Sequence, residues 1–250
     1  SISKEILDRV VEVYRRLRNT LRFLLANTAD FNPATDMLPV DQWLDIDRYA
    51  LALTRRLQTQ AEADYARFEF HRVVQALQNF AAEDLGAFYL DILKDRLYTT
   101  AATSPARRAA QSALWHITQS VVKLMAPILS FTAEEIWTLV SGQAEDSVML
   151  QTWHALPAQD GEEALVERWN LIREARAEAQ KVLENLRGEG RIGASLQAEV
   201  IVKAHGPRHA ALASLGDDLK FVLISSAATL VEVDSAEAQA ITAAALELPK

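Results

Sequence analysis

Cysteine is absent from the 250-residue sequence, and glycine and proline are scarce, at eight and seven. The first absence removes disulfides, thiolate nucleophiles, Cys-rich zinc sites and iron–sulfur clusters from the chemistry open to this chain. The second leaves few helix breakers, so long helices are the default reading. No apolar run reaches the roughly 18 residues that a membrane span needs, and the N-terminus shows no signal-peptide pattern. Basic charge is in deficit: 26 Lys and Arg stand against 34 Asp and Glu, a net −8. That balance argues against a non-specific nucleic-acid binder. What remains, half hydrophobic and a quarter charged, is the composition of a globular protein with one large or two smaller domains. The first residues, Ser1-Ile2-Ser3-Lys4, lack an initiator Met, and a piece of a longer polypeptide is expected.

The charge is unevenly distributed. Residues 1–27 hold six basic side chains (Lys4, Arg9, Arg15, Arg16, Arg18, Arg22) against three acidic ones, whereas residues 156–250 hold ten against fifteen. Within the first stretch Ile6, Val10, Val13, Leu17, Leu21 and Leu24 recur at three- and four-residue steps, the apolar stripe of a long amphipathic helix. At about 100° per residue, Arg15, Asn19 and Arg22 fall within roughly 60° of one another, opposite Leu17. Two guanidiniums flanking an amide are suited to bridging phosphates and riboses along a groove. Arg18 flanks the row. The competing reading is a solvated charged face, or arginines paired with carboxylates of the bundle.

Further helices are expected from about Val40 or Asp47 to Tyr65, from Glu69 to Ala82, over Phe88 to Tyr98, and from Ser104-Pro105 to Met125. Gly86 is expected to interrupt or end a turn before the segment Phe88 to Tyr98. Ser104 with Pro105 is a capping serine followed by proline at the first helical position, and Thr132 with Glu135 reads as a capping box. After Trp153 the texture changes. Ala155 to Gly161 reads as a linker and Glu162 to Arg187 as a charged helix. Leu196 to Ala204 and Ala228 to Val233 read as strands, with helical segments at Pro207 to Leu215 and Asp217 to Leu223 between them. Ala236 to Lys250 is ambiguous between strand, short helix and tail. The expected fold is mainly α: a helical bundle over 1–155 followed by a small α+β domain over 156–250.

Motifs for bond-making chemistry are sparse. Asp91 and Asp95 are four apart, a spacing compatible with acid–base work, but Lys94 and Arg96 beside them favour ordinary helical ion pairs. His205 and His209 are spaced for a metal, yet Gly206-Pro207 separates them and no third ligand is near in sequence, so no metal is assigned. Gly-rich phosphate loops, nucleophile elbows and metalloprotease motifs are missing. Arg187-Gly188-Glu189-Gly190-Arg191 is a basic-edged turn, open equally to a helix stop and to a phosphate contact.

Several blocks, in order, resemble the C-terminal region of class Ia aminoacyl-tRNA synthetases, and within them the isoleucyl-tRNA synthetase family more than its valine and leucine relatives. They are Val13-Tyr14-Arg15-Arg16-Leu17-Arg18-Asn19-Thr20-Leu21-Arg22-Phe23 through Asn27, Asp30-Phe31-Asn32-Pro33, Phe88-Tyr89-Leu90-Asp91 with Lys94-Asp95-Arg96-Leu97-Tyr98, and Met125-Ala126-Pro127 through Trp137. Lys181-Val182-Leu183-Glu184 and Ile192-Gly193-Ala194-Ser195-Leu196 resemble the region after the bundle. The family's HIGH-type and KMSKS-type catalytic signatures are absent, as are its editing insertion and the Cys-rich zinc module of many bacterial members.

The resemblance implies an anticodon-binding domain that carries no catalytic residue and should activate no amino acid alone. ATP and Mg, with Zn in members that have the zinc module, belong to the full-length cytoplasmic ligase. The implied partners are isoleucine tRNA and the remainder of the synthetase chain, with no membrane. The residues expected on tRNA are Arg15, Asn19 and Arg22 as the stem-facing row, then Arg18, Lys94 and Arg96, with Lys181, Arg187 and Arg191 as a second contact. A helical protein-interaction scaffold without an RNA role is the alternative.

Overall fold

A computed structural model describes residues 3–143 and 145–246. The chain divides into two compact units, Ser1–Asp160 and Gly161–Lys250.

The first unit is all helical. Its elements are α1 (Lys4–Asn27), α2 (Pro33–Asp36), α3 (Asp45–Ala66), α4 (Phe70–Asn79), a π-helical stretch (Phe80–Tyr89) running into α5 (Leu90–Thr99), α6 (Pro105–Met125) and α7 (Ser130–Ser141). The axis of the unit is α6, which packs against α1, α3, α5 and α7. It buries Ala109, Ala110, Ala113, Leu114, Ile117, Val121, Val122, Leu124 and Met125 together with Gln111, Ser112, Thr118 and Ser120. A helix buried on nearly every side is the expected centre of a bundle. Its small residues admit close neighbours, and its hydroxyls are satisfied: Thr118 donates to the Leu114 carbonyl, and Ser112 donates to Arg108 O while accepting from Leu38 N. The apolar stripe of α1 delivers Leu17, Leu21 and Leu24 to this core. Burying each contributes about 1.5–3 kcal/mol.

Two local expectations are corrected. Gly86 does not interrupt a helix; it lies inside the π-helical stretch, where a Cβ would come within 3.1 Å of the Ala81 carbonyl oxygen. The glycine permits the widened turn instead of ending it. Thr132 and Glu135 do not form a capping box, because α7 begins earlier, at Ser130 with Leu129 at its N-cap. Thr132 donates to the Tyr14 hydroxyl at 3.0 Å, and Glu135 pairs with Arg18 at 3.5 Å. Ser104 caps α6 by accepting from Arg107 N, with Pro105 in the first turn.

The second unit is α+β. Its long helix α8 (Glu162–Gly188) is followed by β1 (Ala198–Ala204), α9 (Gly206–Ala213), α10 (Leu219–Leu223), β2 (Ala227–Glu232) and β3 (Ala240–Ala245). The sheet order is β2-β1-β3, with β1 parallel to β2 and antiparallel to β3. On β1, Ala198, Val200, Val202 and Ala204 are buried and the intervening residues are not, the period-two pattern of a sheet covered on one face. The covering elements are α8, which contacts β3 and α9, with α9 and α10 against β2. β3 occupies part of the ambiguous 236–250 stretch; residues 247–250 lie outside the described residues.

Candidate nucleic-acid interface

The buried stripe of α1 fixes what its opposite face shows to water. Arg15, Asn19 and Arg22 are all exposed, opposite Leu17, Leu21 and Leu24. Arg15 lies 3.6 Å from Glu12 with 66% of its side chain exposed, a loose surface pair. Arg16 takes the closer position on the same carboxylate, at 3.1 Å. Arg18 reaches sideways to Glu135 of α7. Arg22 forms no ion pair among the described residues. The result is a helix face whose cations hold surface ion pairs at most, within α1 or, for Arg18, with α7, and which re-pair with phosphates at small cost.

The other arginines of this unit are differently employed. Arg96 is 14% exposed and grips Asp47 with two bonds, 2.7 and 2.8 Å, while also donating to the Ala106 carbonyl. Asp47 is fully buried and takes a third bond from the Tyr89 hydroxyl at 2.6 Å. Burial, foremost, and the neighbouring Asp47 charge push the Tyr89 phenol well above its ordinary range, so it stays a donor. Arg96 is therefore withdrawn from the RNA-facing set: a guanidinium saturated by a buried carboxylate cannot be spared for a phosphate. Arg107 and Arg108 are similarly enclosed. Arg107 donates to Asp30 at 2.6 and 3.2 Å, Gln111 adds a 2.8 Å bond, and Arg108 donates to the Asp30 backbone carbonyl. The Arg107 hydrogen bond is the leading cause of the lowered Asp30 pKa. The block Asp30-Phe31-Asn32-Pro33 thus ties the end of α1 to the start of α6, with Asn32 capping α2.

Lys94 is exposed on α5 and pairs with Asp91 at 3.4 Å. Asp95, its supposed catalytic companion, is exposed. In the second unit Lys181 is exposed on α8, Arg187 makes a two-bond pair with Glu184 (2.7 and 2.9 Å), and Arg191 lies 3.6 Å from Glu189. Bound internally, Arg187 is a weaker candidate than Lys181. His205 and His209 point to different partners: the Val233 carbonyl at 2.9 Å and Glu232 at 4.0 Å.

One pair carried no signal in the sequence. His116 Nδ1 and His154 Nε2 lie 2.8 Å apart, 38 residues distant in the chain, with Trp115 edge-on to both rings. Burial lowers both to about 4, so both are neutral at pH 7, one donating to the other.

With this geometry established, comparison with known proteins identifies the architecture. The family described as the anticodon-binding domain of tRNA ligase matches residues 47–202. The chain belongs to that family. Its relatives include an isoleucine–tRNA ligase of Azoarcus sp. (strain BH72), 72% identical over 97% of this chain, and one of Aromatoleum aromaticum, 70% identical over 98%. An isoleucine–tRNA ligase of Burkholderia mallei is 56% identical over the whole chain. In each case the chain spans 26% of the relative's length. The family match starts at Asp47, so α1 and its arginine row precede it, whereas the relatives' similarity includes α1. Asp47, Tyr89 and Arg96 all lie inside the match, which accords with their role in holding the bundle together.

Proposed function

We propose that this chain recognises the anticodon stem and loop of isoleucine tRNA on behalf of a longer isoleucine–tRNA ligase, in which ATP-dependent aminoacylation takes place elsewhere. The observation that carries the reading is the 72% identity to an isoleucine–tRNA ligase across 97% of the chain, together with the anticodon-binding family match. The physical mechanism is recognition. Arg15 and Arg22 neutralise successive phosphates, Asn19 between them supplies amide donors and an acceptor to ribose, and Arg18 and Lys94 extend the footprint. Lys181, and less strongly Arg187 and Arg191, contribute a second contact from the α+β unit. Such contacts set register; base identity is read from unstacked loop bases through their edges. The acidic remainder of the surface repels RNA bound in other registers.

ATP and magnesium belong with the parent enzyme's catalytic core, and zinc with its Cys-rich module. This chain has no cysteine to hold zinc, and among the described residues no three His, Asp or Glu converge into a metal-binding group. No described helix is long and apolar enough to cross a membrane, and the cytoplasm is the compartment in which we expect the ligase to work. No observation favours a protein scaffold without an RNA role.

The test is direct binding of the chain to isoleucine tRNA and to an unrelated tRNA at several salt concentrations. Preference for isoleucine tRNA, with affinity falling as salt rises, is the expected result. Equal affinity for both would remove specificity from this chain.

A further inference from the structure

The outer face of α7 carries an aromatic ring that the fold does not use. Phe131 and Glu135 share that face, four residues apart, while Thr132, Ala133, Ile136 and Trp137 on the opposite face are buried. Phe131 is 93% exposed and makes no ring contact among the described residues. Phe68 and Phe70, also exposed, at least meet each other at 6.2 Å. A single apolar side chain in water means nothing by itself. What gives Phe131 meaning is its position beside the arginine row.

α7 lies along the flank of α1. Thr132, next to Phe131, donates to the Tyr14 hydroxyl at 3.0 Å, and Glu135, one turn on, lies 3.5 Å from Arg18. Arg18 in turn has Arg15 one turn before it and Arg22 one turn after it on α1. Residues 131 and 135 are about 6 Å apart along the axis of α7, a span that one nucleotide bridges between its phosphate and its base. The carboxylates of α7 leave this path open. Glu135 already has Arg18 as its counter-charge, and Glu134 accepts from the Ser147 hydroxyl and the Val148 backbone amide. A cation within one turn of a bare ring is the arrangement that holds single-stranded RNA, with the phosphate on the guanidinium and the base on the π-face. We infer that Phe131 is the platform on which an unpaired base of the tRNA loop stacks, while the phosphates beside that base lie on Arg18 and its neighbours in α1. The inference rests on the reading of this chain as a tRNA-recognition module. Every base has a π-face, so the ring holds the loop in place and leaves the choice of base to hydrogen bonds made elsewhere.

The test is binding of the 250-residue chain and its Phe131 variants to the anticodon stem-loop of isoleucine tRNA, with fluorescent aminopurine replacing each unpaired loop base in turn. Phe131→Ala should weaken binding about ten-fold at every salt concentration, with the log–log salt slope unchanged because no charge is lost. Phe131→Leu, which keeps an apolar side chain without a ring, should lose nearly as much, and Phe131→Tyr should bind as the parent does. One loop position should show fluorescence quenched by the parent and by Phe131→Tyr but not by Phe131→Ala. A fully paired hairpin should bind parent and Phe131→Ala alike, and the melting temperatures of all four proteins should agree. Unchanged stem-loop affinity in Phe131→Ala overturns the proposal and leaves the face of α7 to a protein partner. Full retention of affinity in Phe131→Leu overturns it too, since apolar contact and not stacking would then be at work. A parent chain that binds no stem-loop would remove the RNA reading and this inference together, whereas binding that ignores Phe131 removes this inference alone.

Discussion

Arg22 and Arg96 belong to the same helical unit and carry the same group, yet their surroundings are opposite. Arg22 stands in water on the outer face of α1 with no ion pair among the described residues. Arg96 is enclosed and bound twice to Asp47, which is itself buried and held by Tyr89. The comparison teaches that basic character is no guide to an RNA surface until the carboxylates are located. Arg96, like the α1 row, lies in a block that resembles the synthetase family, yet its contacts are those of cohesion: it joins α5 to the start of α3 and to the first turn of α6.

The sharpest way to break this comparison is to delete each arginine in turn. Arg96→Ala leaves a buried aspartate without its counter-charge and should cost about 3–5 kcal/mol in chemical denaturation. A loss below roughly 1 kcal/mol would show that water reaches Asp47 and that the enclosure described here is wrong.

Acid gives the next largest effect, through His116 and His154. Their folded pKa values, about 4, lie below the ordinary 6.5, so the fold favours the neutral rings. Their contribution is complete above pH 6.5 and drains away as pH falls from 6.5 towards 4, because the unfolded chain takes up protons there and the folded chain does not. Denaturation midpoints measured at pH 7, 5.5 and 4.5 should fall progressively, and a His116→Gln, His154→Gln double variant should lose much of that slope. An unchanged slope would assign the acid sensitivity to other groups.

Gly86→Ala is a smaller test with an informative sign. In an ordinary helix interior the change stabilises by about 1 kcal/mol; within the π-helical stretch the new Cβ meets the Ala81 oxygen at 3.1 Å. We expect a loss of roughly 1 kcal/mol in the same denaturation assay, and a gain would show that the turn relaxes to accept it. Smallest of all in stability is Arg22→Ala, within about 0.5 kcal/mol of the parent chain.

The legibility of this molecule follows the range of its interactions. The mainly α fold was readable because its signals are local: the Leu17-Leu21-Leu24 stripe, the Ser104-Pro105 start and the alternation along β1 each lie within a few residues. The misreadings were also local patterns, overruled by distant partners. Thr132 and Glu135 have capping-box spacing, but Tyr14 and Arg18, more than a hundred residues earlier, claim them. Asp47 and Arg96 are 49 residues apart, and His116 and His154 are 38 apart. No periodicity connects either pair, so only the folded bundle shows that one arginine is spent and that two histidines share a bond. For the candidate interface the periodicity of α1 supplied the row, and the structure supplied the ion pairs that rank its members.

The most direct test of the central claim, that the exposed arginines of α1 serve RNA while the enclosed ones serve the fold, is the salt dependence of anticodon stem-loop binding by the parent chain and by Arg22→Ala. The account predicts weaker binding by the variant at every salt concentration, a log–log slope shallower by roughly one, and unchanged thermal stability. Identical affinity and slope for the two proteins would contradict it and leave Arg22 as an ordinary solvated charge.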